Sequence, residues 1–473
     1  MNEKLTLLPA TELRDLLQRK DISATALTEA TLAQIEKYNP AINAVVTLNE
    51  RAPEDARRLD QQLADGKEPG PLFGLPVGIK DVTPVAGLRT TFGCKMFANY
   101  VPNEDALIVQ RLRHAGAVII GKTNTPEFAA GGHTWNDVFG VTRNPWNPKL
   151  SPGGSTGGGA AGLATGMFAL AQGTDLGGSL RIPASFCGLV GLRPSPGLVP
   201  VYPSDYLWDD LHVTGPLART AGDVALMLQA VCGPSSVSPL YQPTQDRNFV
   251  DAVKAGVRKG LKVAYCKDIA GIGIDPDIEQ VCRSAAFELS PAGVEVDEIE
   301  LDLSFAREAF LALRGYNFVA HFYKYLDKID EFGINVANNL KAGLNLTPET
   351  LGAAEDARTR LWNLFRDFFQ KYDHLLTPCM AVPPFPIEQN YPETIAGKKM
   401  ATYVDWIAPT FVLSLTSLPV AAVPCGLDGN GLPVGMQIVG RSLGEETVLA
   451  FAKVIQDANP IGLPDLAGLE NLS

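Results

Sequence analysis

Residues 151–194, SPGGSTGGGAAGLATGMFALAQGTDLGGSLRIPASFCGLVGLRP, constrain this chain more than any other segment. The segment holds two serines, Ser155 and Ser179, and each has glycines beside it. Glycine lets the backbone approach a reacting atom closely and leaves amide N–H groups free to point at a developing negative charge. A structural loop rarely needs this arrangement twice. The segment therefore predicts a hydrolytic site.

The order of residue types within this segment also predicts its local fold. Residues 157–165 suit a helix that begins at the glycine loop, because their small side chains allow close packing against a neighbour. Residues 167–172 are typical of a strand, TDLGGS of a tight turn, and residues 186–192 of an apolar core. Helix, strand and glycine turn in this order favour an α/β architecture.

Two matches to nucleotide-binding motifs are coincidental. Residues 116–123, GAVIIGKT, match GxxxxGK[ST], but a phosphate loop needs flexible residues between its glycines and Ala-Val-Ile-Ile is strand material. Residues 157–162, GGGAAG, match GxGxxG, but a dinucleotide site requires a strand immediately before it and proline-rich NPWNPKLSP stands there instead. We therefore predict no nucleotide cofactor.

Lys80 ends the short apolar segment LPVGIKD, which we predict to be a buried strand. One interpretation is structural: the aliphatic stem packs and the ammonium reaches water. The other is functional: burial lowers the pKa of the lysine, so that the neutral amine serves as a base. The two serines of residues 151–194 favour the functional interpretation.

Other nucleophile systems fit the sequence less well. No Ser-x-x-Lys motif occurs in the chain, which excludes the penicillin-binding type of serine–lysine site. Residues 153–157 match the nucleophile elbow GxSxG around Ser155, with His212, His321 and His374 downstream as possible partners. The elbow needs a hydrophobic strand before its serine, which is missing here. An esterase that uses Ser155 in this way is a remote alternative.

Composition limits the possible partners. The chain has 473 residues with 46% hydrophobic content, enough to bury a large core, and we find no linker, low-complexity tract or repeat. One domain over residues 1–473 is therefore expected. The formal charge of −12 argues against a surface that binds nucleic-acid phosphates.

The cysteines and the apolar segments indicate the compartment. The seven cysteines are scattered and lack the spacing of a zinc site or a disulfide framework, so we predict reduced core thiols and no metal. The N-terminal apolar run is too short for a signal peptide, and no uninterrupted apolar stretch reaches about 18 residues. A cytoplasmic protein without membrane contact is expected.

An aromatic-rich helical segment lies at residues 305–344. It contains six phenylalanine and tyrosine residues between positions 316 and 332. This pattern favours core or helix packing, with the wall of a ligand pocket as the alternative.

The motifs together resemble those of a known family. GGSTGGGAAGLATG and GTDLGGSLRIPASFCGLVGLRP are similar to the signature of the amidase signature family, and GLPVGIKD resembles the segment that supplies its catalytic lysine. The resemblance extends to NPWNP, VTGPLART, LPVAAVPCGL and GLPVGMQIVGR, is dense over residues 73–220 and is thin over much of the remainder.

The resemblance implies a fold and a division of the chain. The fold would be a single large α/β domain whose mixed, mostly parallel central sheet is covered by helices on both faces. Residues 73–220 would form the signature core, and residues 221–415 a variable region that shapes the substrate pocket.

The resemblance also implies three catalytic roles and no cofactor. Ser179 would be the nucleophile, Ser155 a bridging serine that follows a cis peptide bond, and Lys80 the base. Lys80 would draw a proton from Ser155 while Ser155 takes one from Ser179, which lets an otherwise inert alcohol attack a carbonyl and form an acyl-enzyme.

The loop before the nucleophile would stabilise the tetrahedral oxyanion. The implied donors are the backbone N–H groups of Leu176, Gly177, Gly178 and Ser179, and one such donor contributes about 3 kcal/mol to transition-state stabilisation.

Supporting roles are expected for Thr156, Asp175 and Arg181. Asp175 and Arg181 would hold the shape of the loop through hydrogen bonds, with an ordinary surface ion pair as the alternative. Thr156 stands where the family usually has a second serine, and its extra bulk could alter fine positioning. Two further departures are Gly159, where serine is frequent, and Val82, where asparagine often follows the Lys-Asp pair.

The implied reaction is hydrolysis of a C–N bond beside a carbonyl in a small molecule. The substrate would be an amide, an anilide or a carbamate (urethane), and the small residues at positions 129–132 favour an aryl or otherwise bulky one. The predicted pocket residues are Ala129, Gly131, Thr174, Tyr206 and Trp208.

Two alternatives of other classes remain open. The chain could be the amidase subunit of a glutamyl-tRNA amidotransferase, which would require glutamine-binding groups and a partner subunit. It could also be a non-catalytic binding protein on the same fold. For the hydrolase, we expect a monomer or homodimer.

Overall fold

A computed structural model describes residues 5–244 and 246–469. The α-helices of this part of the chain are α1 (Ala10–Gln18), α2 (Ala24–Ile42), α3 (Ala52–Ala64), α4 (Leu107–His114), α5 (Gly157–Ala164), α6 (Arg181–Cys187), α7 (Ala221–Val231), α8 (Phe249–Ala255), α9 (Pro276–Phe287), α10 (Arg307–Phe322), α11 (Ile334–Leu344), α12 (Pro348–Phe368), α13 (Ala408–Ser414) and α14 (Glu445–Ala458).

The strands alternate with these helices along most of the chain. They are β1 (Val45–Leu48), β2 (Pro76–Lys80), β3 (Val118–Thr123), β4 (Trp135–Asn136), β5 (Gly140–Val141), β6 (Leu170–Asp175), β7 (Val190–Arg193), β8 (Val213–Ala218), β9 (Leu261–Tyr265), β10 (Val294–Glu298), β11 (His374–Pro378), β12 (Thr394–Ile395), β13 (Lys398–Lys399), β14 (Val420–Leu427) and β15 (Pro433–Val439). Short 3-10 turns occupy Lys95–Phe97, Glu127–Ala129, Ser290–Ala292, Ser304–Ala306, Tyr323–Glu331 and Asp405–Ile407.

Eleven of the described strands form one sheet in the order β1-β3-β2-β6-β8-β7-β14-β15-β11-β9-β10. The pairings of β2 with β3 and β6, and of β9 with β10 and β11, are parallel. The other six pairings within this part of the chain are antiparallel. The prediction of a single α/β domain with a mixed sheet is confirmed, whereas the expectation that the sheet is mostly parallel is wrong.

The length of the connection explains one of the antiparallel pairings. Parallel neighbours need a crossover of a dozen or more residues, whereas antiparallel neighbours can be joined by a tight turn. Strands β14 and β15 are joined by residues 428–432, where Asp428 accepts hydrogen bonds at 2.8 Å from the amides of Asn430 and Leu432. Such a hairpin can only be antiparallel.

The glycine-rich segment lies at the centre of the sheet. Helix α5 covers all but the last residue of the predicted range 157–165, and strand β6 starts three residues later than predicted. All residues of α5 are buried. A Cβ on Gly162 would lie 2.2 Å from the Phe168 ring, so only glycine permits this approach of helix and ring.

The aromatic-rich segment forms α10, the following 3-10 turn and α11. Helices α10 and α11 cross at two glycines, since a Cβ on Gly343 would lie 2.2 Å from the backbone oxygen of Gly315. Phe318, Phe332 and Val336 belong to a second buried apolar cluster, separate from the main core. The prediction that this segment packs as core is confirmed for these residues.

None of the helices in the described ranges has the length and apolar composition required to cross a bilayer. All seven cysteines are unpaired, and six of them are buried.

Candidate active site

Lys80 is the last residue of β2 and has no solvent exposure. Its position is held by the pairing of β2 with β3 and β6 and by the hydrogen bond that its backbone N–H donates to Gln172 Oε1 at 3.2 Å. Hydrogen bonds join its Nζ to three hydroxyl oxygens, those of Ser155 at 2.6 Å, Thr174 at 2.9 Å and Thr156 at 3.1 Å. The structure therefore brings Lys80 and Ser155 into direct contact.

The surroundings of Lys80 favour its neutral form. Burial lowers the pKa of Lys80 well below its ordinary value, and the negative charge of Asp175 opposes this effect without cancelling it. Within the described ranges no carboxylate lies within 4 Å of Nζ. A neutral amine among hydroxyls can accept a proton from one of them.

Ser155 is buried, and the peptide bond between Gly154 and Ser155 is cis, as the family resemblance implies. The side chain of Thr134 braces this turn from both sides: its hydroxyl donates to the Gly153 carbonyl at 2.8 Å and accepts from the Gly157 N–H at 3.2 Å. The backbone around Ser155 is thus held by hydrogen bonds to neighbouring residues.

Thr156 keeps its hydroxyl on Lys80, and two glycines accommodate its methyl group. A Cβ on Gly173 would lie 2.5 Å from Thr156 Cγ2, and one on Gly159 would lie 3.0 Å from the same atom. The two departures from the family pattern at positions 156 and 159 are therefore coupled, because the smaller residue at 159 makes room for the larger one at 156.

Ser179 is half-buried on the wall of a large cavity. Its backbone carbonyl accepts a hydrogen bond from the Thr156 N–H at 3.2 Å, which ties the two predicted serine segments together. Across residues 5–244 and 246–469, its hydroxyl has no hydrogen-bond partner, so Ser155 and Ser179 are neighbours through the backbone and are not joined by their side chains.

The loop before Ser179 is organised by Asp175. The Asp175 carboxylate accepts hydrogen bonds from the N–H groups of Gly178 at 2.9 Å and Leu180 at 3.1 Å. Of the four predicted oxyanion donors, Gly178 is thus already engaged, whereas the amides of Gly177 and Ser179 have no acceptor in the part of the chain that the structure describes.

Thr410 of α13 fixes the same loop from the other side. Its hydroxyl donates to the Gly177 carbonyl at 2.6 Å, which helps to fix the orientation of that peptide. Gly178 has a φ of +128°, and a Cβ there would lie 2.3 Å from the Thr410 hydroxyl oxygen. Glycine is therefore required at position 178.

Asp175 lies between two buried arginines, Arg181 and Arg193, at 3.0 and 3.3 Å. Burial alone raises the pKa of Asp175, but the charges of Arg181 and Arg193 outweigh it and hold the pKa below its ordinary value. Arg181 also donates to the Thr410 carbonyl at 2.8 Å and to Ser414 Oγ at 2.7 Å. Asp175 and Arg181 therefore do not form a surface ion pair, because both side chains are buried.

The sequence interpretation missed Arg193. Its guanidinium donates to the backbone carbonyl of Asp175 at 2.6 Å and so holds the end of β6. An arginine inside the apolar run GLVGLRP is the only sequence signal for it, because a buried arginine almost always has a partner.

The cavity beside Ser179 has a volume of about 520 Å³. Leu176, Gly177 and Ser179 line it, as do three of the predicted pocket residues, which are Ala129, Gly131 and Thr174. Thr174 has a second contact that the sequence did not suggest, the hydrogen bond to Lys80.

Tyr206 and Trp208 do not line this cavity, contrary to the sequence expectation. A turn in which the Tyr206 N–H donates to Ser204 Oγ at 3.1 Å turns the chain away, and the Tyr206 ring packs against His321 at 5.7 Å. Trp208 is 66% exposed at the protein surface.

Aromatic side chains from three segments form much of the cavity wall. The centroid of the Phe128 ring lies 4.6 Å from the centroid of the Phe322 ring and 5.4 Å from that of the Phe92 ring. Phe318 and Tyr325 add further aromatic surface. The aromatic-rich segment thus supplies both core packing and a pocket wall, the two interpretations that its sequence left open.

The histidines do not form a triad with Ser155. His321 is hydrogen-bonded to Asp209 at 2.8 Å, and burial lowers the pKa of His212 to about 4 despite the opposing charge of Asp209. His374 is hydrogen-bonded to the Val439 carbonyl. No histidine of the described ranges is hydrogen-bonded to Ser155, and none of their His, Cys, Asp or Glu side chains form a group of three that could hold a metal.

Sequence comparison decides the family. A family model described as Amidase matches residues 26–449. The chain belongs to the amidase signature family. It is 34% identical to an acylamidase of Rhodococcus erythropolis over 97% of both chains. It is also 35% identical to one subunit of the glutamyl-tRNA(Gln) amidotransferase of Geobacillus stearothermophilus, over 94% of this chain and 96% of that one.

Structural comparison gives the same family. The crystal structure of a bacterial aryl acylamidase of the amidase signature family superposes with a TM-score of 0.89 and 26% identity over 98% of both chains. The fold of this family is not that of the α/β-hydrolases, and no histidine of the described ranges is hydrogen-bonded to Ser155, which together argue against the esterase alternative.

Proposed function

We propose that this amidase signature enzyme hydrolyses the C–N bond beside a carbonyl in a small amide, anilide or carbamate with an aryl or bulky substituent. The observation that carries the proposal is the buried Lys80, whose amine lies 2.6 Å from Ser155 Oγ and whose pKa is lowered, next to a cavity that Ser179 lines. A base, a hydroxyl relay and an accessible hydroxyl are the parts that nucleophilic hydrolysis needs.

The proton moves in one direction during attack. Ser179 Oγ bonds to the carbonyl carbon as Ser155 takes the Ser179 proton and Lys80 takes the Ser155 proton. The Ser179 hydroxyl has no competing hydrogen bond among the described residues and is therefore available to turn toward Ser155. The resulting ammonium has three N–H groups, which match the hydroxyl oxygens of Ser155, Thr156 and Thr174.

The same groups return the proton. Ser155 donates to the nitrogen of the leaving amine as the C–N bond breaks, and Lys80 reprotonates Ser155. Water then attacks the acyl-enzyme ester through the same relay and releases the acid. For a carbamate, cleavage of the C–N bond leaves an alkoxycarbonyl group on Ser179, which water releases as the carbonate half-ester.

The oxyanion would be held by free amides of the loop before Ser179. The N–H groups of Gly177 and Ser179 are open for this role, with Leu176 as a third predicted donor, and the loss of one such donor costs about 3 kcal/mol of transition-state stabilisation. The Gly178 amide would act indirectly, because its bond to Asp175 fixes the loop.

The cavity supports the choice of substrate class. Its volume of about 520 Å³ and its aromatic wall suit a ring, since aromatic pairs gain energy beyond the area that they bury. Residues 73–220 supply the proposed catalytic groups and part of the aromatic wall, and residues 221–415 add Phe318, Phe322 and Tyr325 to the wall. This division supports the proposal that the second region sets specificity.

A substrate panel tests the proposal. Chromogenic anilides, aryl carbamates and aryl esters of graded acyl size are compared by kcat/KM, with Ser179→Ala as the inactive variant and the exposed Ser442→Ala as its matched control. We expect Ser179→Ala to lower kcat/KM by about 10⁴-fold or more. Undiminished hydrolysis by Ser179→Ala would exclude the mechanism, and no hydrolysis of any amide or carbamate by the wild type would exclude the function.

A glutamine amidase within an amidotransferase is the second candidate. The 35% identity to one subunit of such an enzyme favours it. Co-purification with a partner subunit, together with glutaminase activity, would support this candidate. Anilide hydrolysis by the isolated chain would count against it.

The oligomeric state and the location are tested separately. Light scattering of the isolated chain tests the proposed monomer or homodimer, and cell fractionation tests the proposed cytoplasmic location.

A further inference from the structure

Arg314 of α10 lies on the wall of the same cavity and is only 6% exposed. Its Nε donates to Asn339 Oδ1 at 2.9 Å, and its Nη2 donates to the Tyr403 hydroxyl at 3.0 Å. Its Nη1 has no hydrogen-bond partner within residues 5–244 and 246–469, and no carboxylate of these ranges pairs with the guanidinium. Arg314 is thus a buried cation with one edge open.

The guanidinium is held in a defined orientation. Asn339 donates from its own amide to the Tyr403 hydroxyl and to the Asn335 carbonyl, so the two acceptors of Arg314 are themselves anchored. The Phe318 ring lies 4.9 Å and the Tyr403 ring 6.0 Å from the guanidinium carbon. These contacts stabilise the charge in part and leave Nη1 in a fixed position.

Asn317 supplies a second open polar group. It is 5% exposed, lines the same cavity and has no hydrogen-bond partner in the described part of the chain. Residues three apart on a helix are neighbours on one face, so Asn317 and Arg314 lie side by side on α10. Both groups face the cavity without a protein partner among the described residues, so a ligand in the cavity can take the place of water as their hydrogen-bond partner.

Two other titratable side chains of the cavity wall, those of Asp205 and His321, are already paired. Asp205 forms an ion pair with Lys324 at 2.5 Å, and His321 is hydrogen-bonded to Asp209 at 2.8 Å. Among the described residues that line the cavity, Arg314 is therefore the cation whose counter-ion is missing. An anion is the partner that a fixed, desolvated guanidinium binds most strongly.

We propose that the substrate carries a carboxylate, which is bound by Arg314 Nη1 and the Asn317 amide while the scissile carbonyl faces Ser179. The inference rests on the proposed amide or carbamate hydrolysis and narrows its substrate class to anionic members. The carboxylate can belong to the acyl part or to the amine part, and the aromatic side chains of the cavity wall can contact the rest of the substrate.

Two matched substrate pairs test the inference. The acyl pair is the 4-nitroanilide of glutaric acid and its 4-carbamoylbutanoyl analogue. The amine pair is the butyryl amide of 5-amino-2-nitrobenzoate and that of 5-amino-2-nitrobenzamide. Each pair differs only in carboxylate against carboxamide. For one pair we expect the wild type to prefer the carboxylate by about 10- to 100-fold in kcat/KM, the range of a charge-assisted hydrogen bond.

Variants assign this preference to the arginine. In Arg314→Met, the ratio of kcat/KM for the carboxylate to kcat/KM for the carboxamide is expected to come close to one. Arg314→Lys should keep part of this preference, and Asn317→Ala should lower the ratio by a smaller factor. Arg360→Met, on the exposed side of α12, is the matched control and should retain the wild-type ratio. A wild-type ratio near one for both pairs, or a ratio that Arg314→Met leaves unchanged, would overturn the inference.

Binding separates this inference from the proposed function. Titration calorimetry on Ser179→Ala, with the same four compounds, measures affinity without turnover. We expect the favoured carboxylate to bind about 10-fold or more tightly than its carboxamide and to lose this advantage in Ser179→Ala/Arg314→Met. If the wild type hydrolyses none of the compounds but the affinity difference follows Arg314, the proposed hydrolysis fails and the anion site stands. Equal affinities would overturn the anion site.

Discussion

Two lysines without solvent exposure lie on adjacent parallel strands, and their surroundings differ in kind. Lys80 ends β2 among the three hydroxyls of Ser155, Thr156 and Thr174. Lys122 of β3 donates to the Thr83 carbonyl at 2.7 Å and lies 3.4 Å from the Asp81 carboxylate. One lysine thus has only neutral partners, and the other has a counter-ion.

The pKa values follow from these partners. Burial lowers the pKa of both lysines, but the nearby charge of Asp81 limits the effect on Lys122, whose pKa falls to about 8. Asp81 follows Lys80 in the sequence yet pairs with Lys122, consistent with successive residues of an extended chain pointing to opposite sides. Both lysines are buried, and among the described residues only Lys122 has an adjacent carboxylate that limits the effect of burial on its pKa. We therefore propose that Lys80, and not Lys122, acts as a base.

The sharpest test of this contrast is Lys80→Met. Removal of the base should lower kcat/KM by about 10³-fold or more. The free energy of unfolding should stay the same or rise, because an apolar side chain of similar volume replaces a buried amine. The measurements are anilide kinetics and urea unfolding. Activity within tenfold of the wild type would show that Lys80 is not the base.

Lys122→Met should have the opposite profile. It leaves the Asp81 carboxylate buried without its counter-ion, so the free energy of unfolding should fall by about 3 kcal/mol or more, with a smaller loss of kcat/KM than in Lys80→Met. Addition of Asp81→Asn to Lys122→Met should restore part of the stability. An unchanged urea midpoint in Lys122→Met would contradict the ion-pair interpretation.

The pH profile should report the state of Lys80. In the proposed mechanism the neutral amine is the active form, so kcat/KM should fall as the pH decreases through the lowered pKa of Lys80. Thr174→Val removes a hydrogen-bond acceptor that favours the ammonium form of Lys80. The acidic limb of the kcat/KM profile should therefore move to lower pH by about one unit, and the plateau value of kcat/KM should fall by about tenfold. Thr165→Val, an equally buried threonine away from Lys80, is the control. A limb that moves to higher pH would refute this assignment.

Thr156→Ser should have the smallest effect. The hydroxyl on Lys80 remains, so kcat/KM should stay within about threefold, while the lost methyl leaves a void that costs about 1 kcal/mol of unfolding free energy. Gly159→Ser should destabilise the wild type more than it destabilises Thr156→Ser, because a Cβ at position 159 meets the threonine methyl. Additive effects in this double-mutant cycle would argue against the coupling.

Local patterns predicted the local structure of the site. The small residues of α5, the strand before the glycine turn and the apolar strand that ends at Lys80 were all read from residue types, within three residues at their ends. These features depend on neighbours in the chain, and periodicity and glycine content record them directly.

Features that depend on distant contacts were not predictable in this way. The direction of the strands, the places of Tyr206 and Trp208, and the role of Arg193 at the end of β6 all follow from segments far apart in the sequence. Neither side-chain pattern nor composition encodes how such segments pack against one another.

The sequence by itself determined the α/β class, the family and the candidate residues Lys80, Ser155 and Ser179, because two serines beside glycines and a lysine at the end of an apolar strand are local patterns. Only the tertiary structure decided that Lys80 has hydroxyl neighbours and Lys122 a carboxylate, and that an open arginine edge lies on the cavity wall. A pKa depends on solvent exclusion and on the nearest charge, and both are set by residues that meet only when the chain is folded.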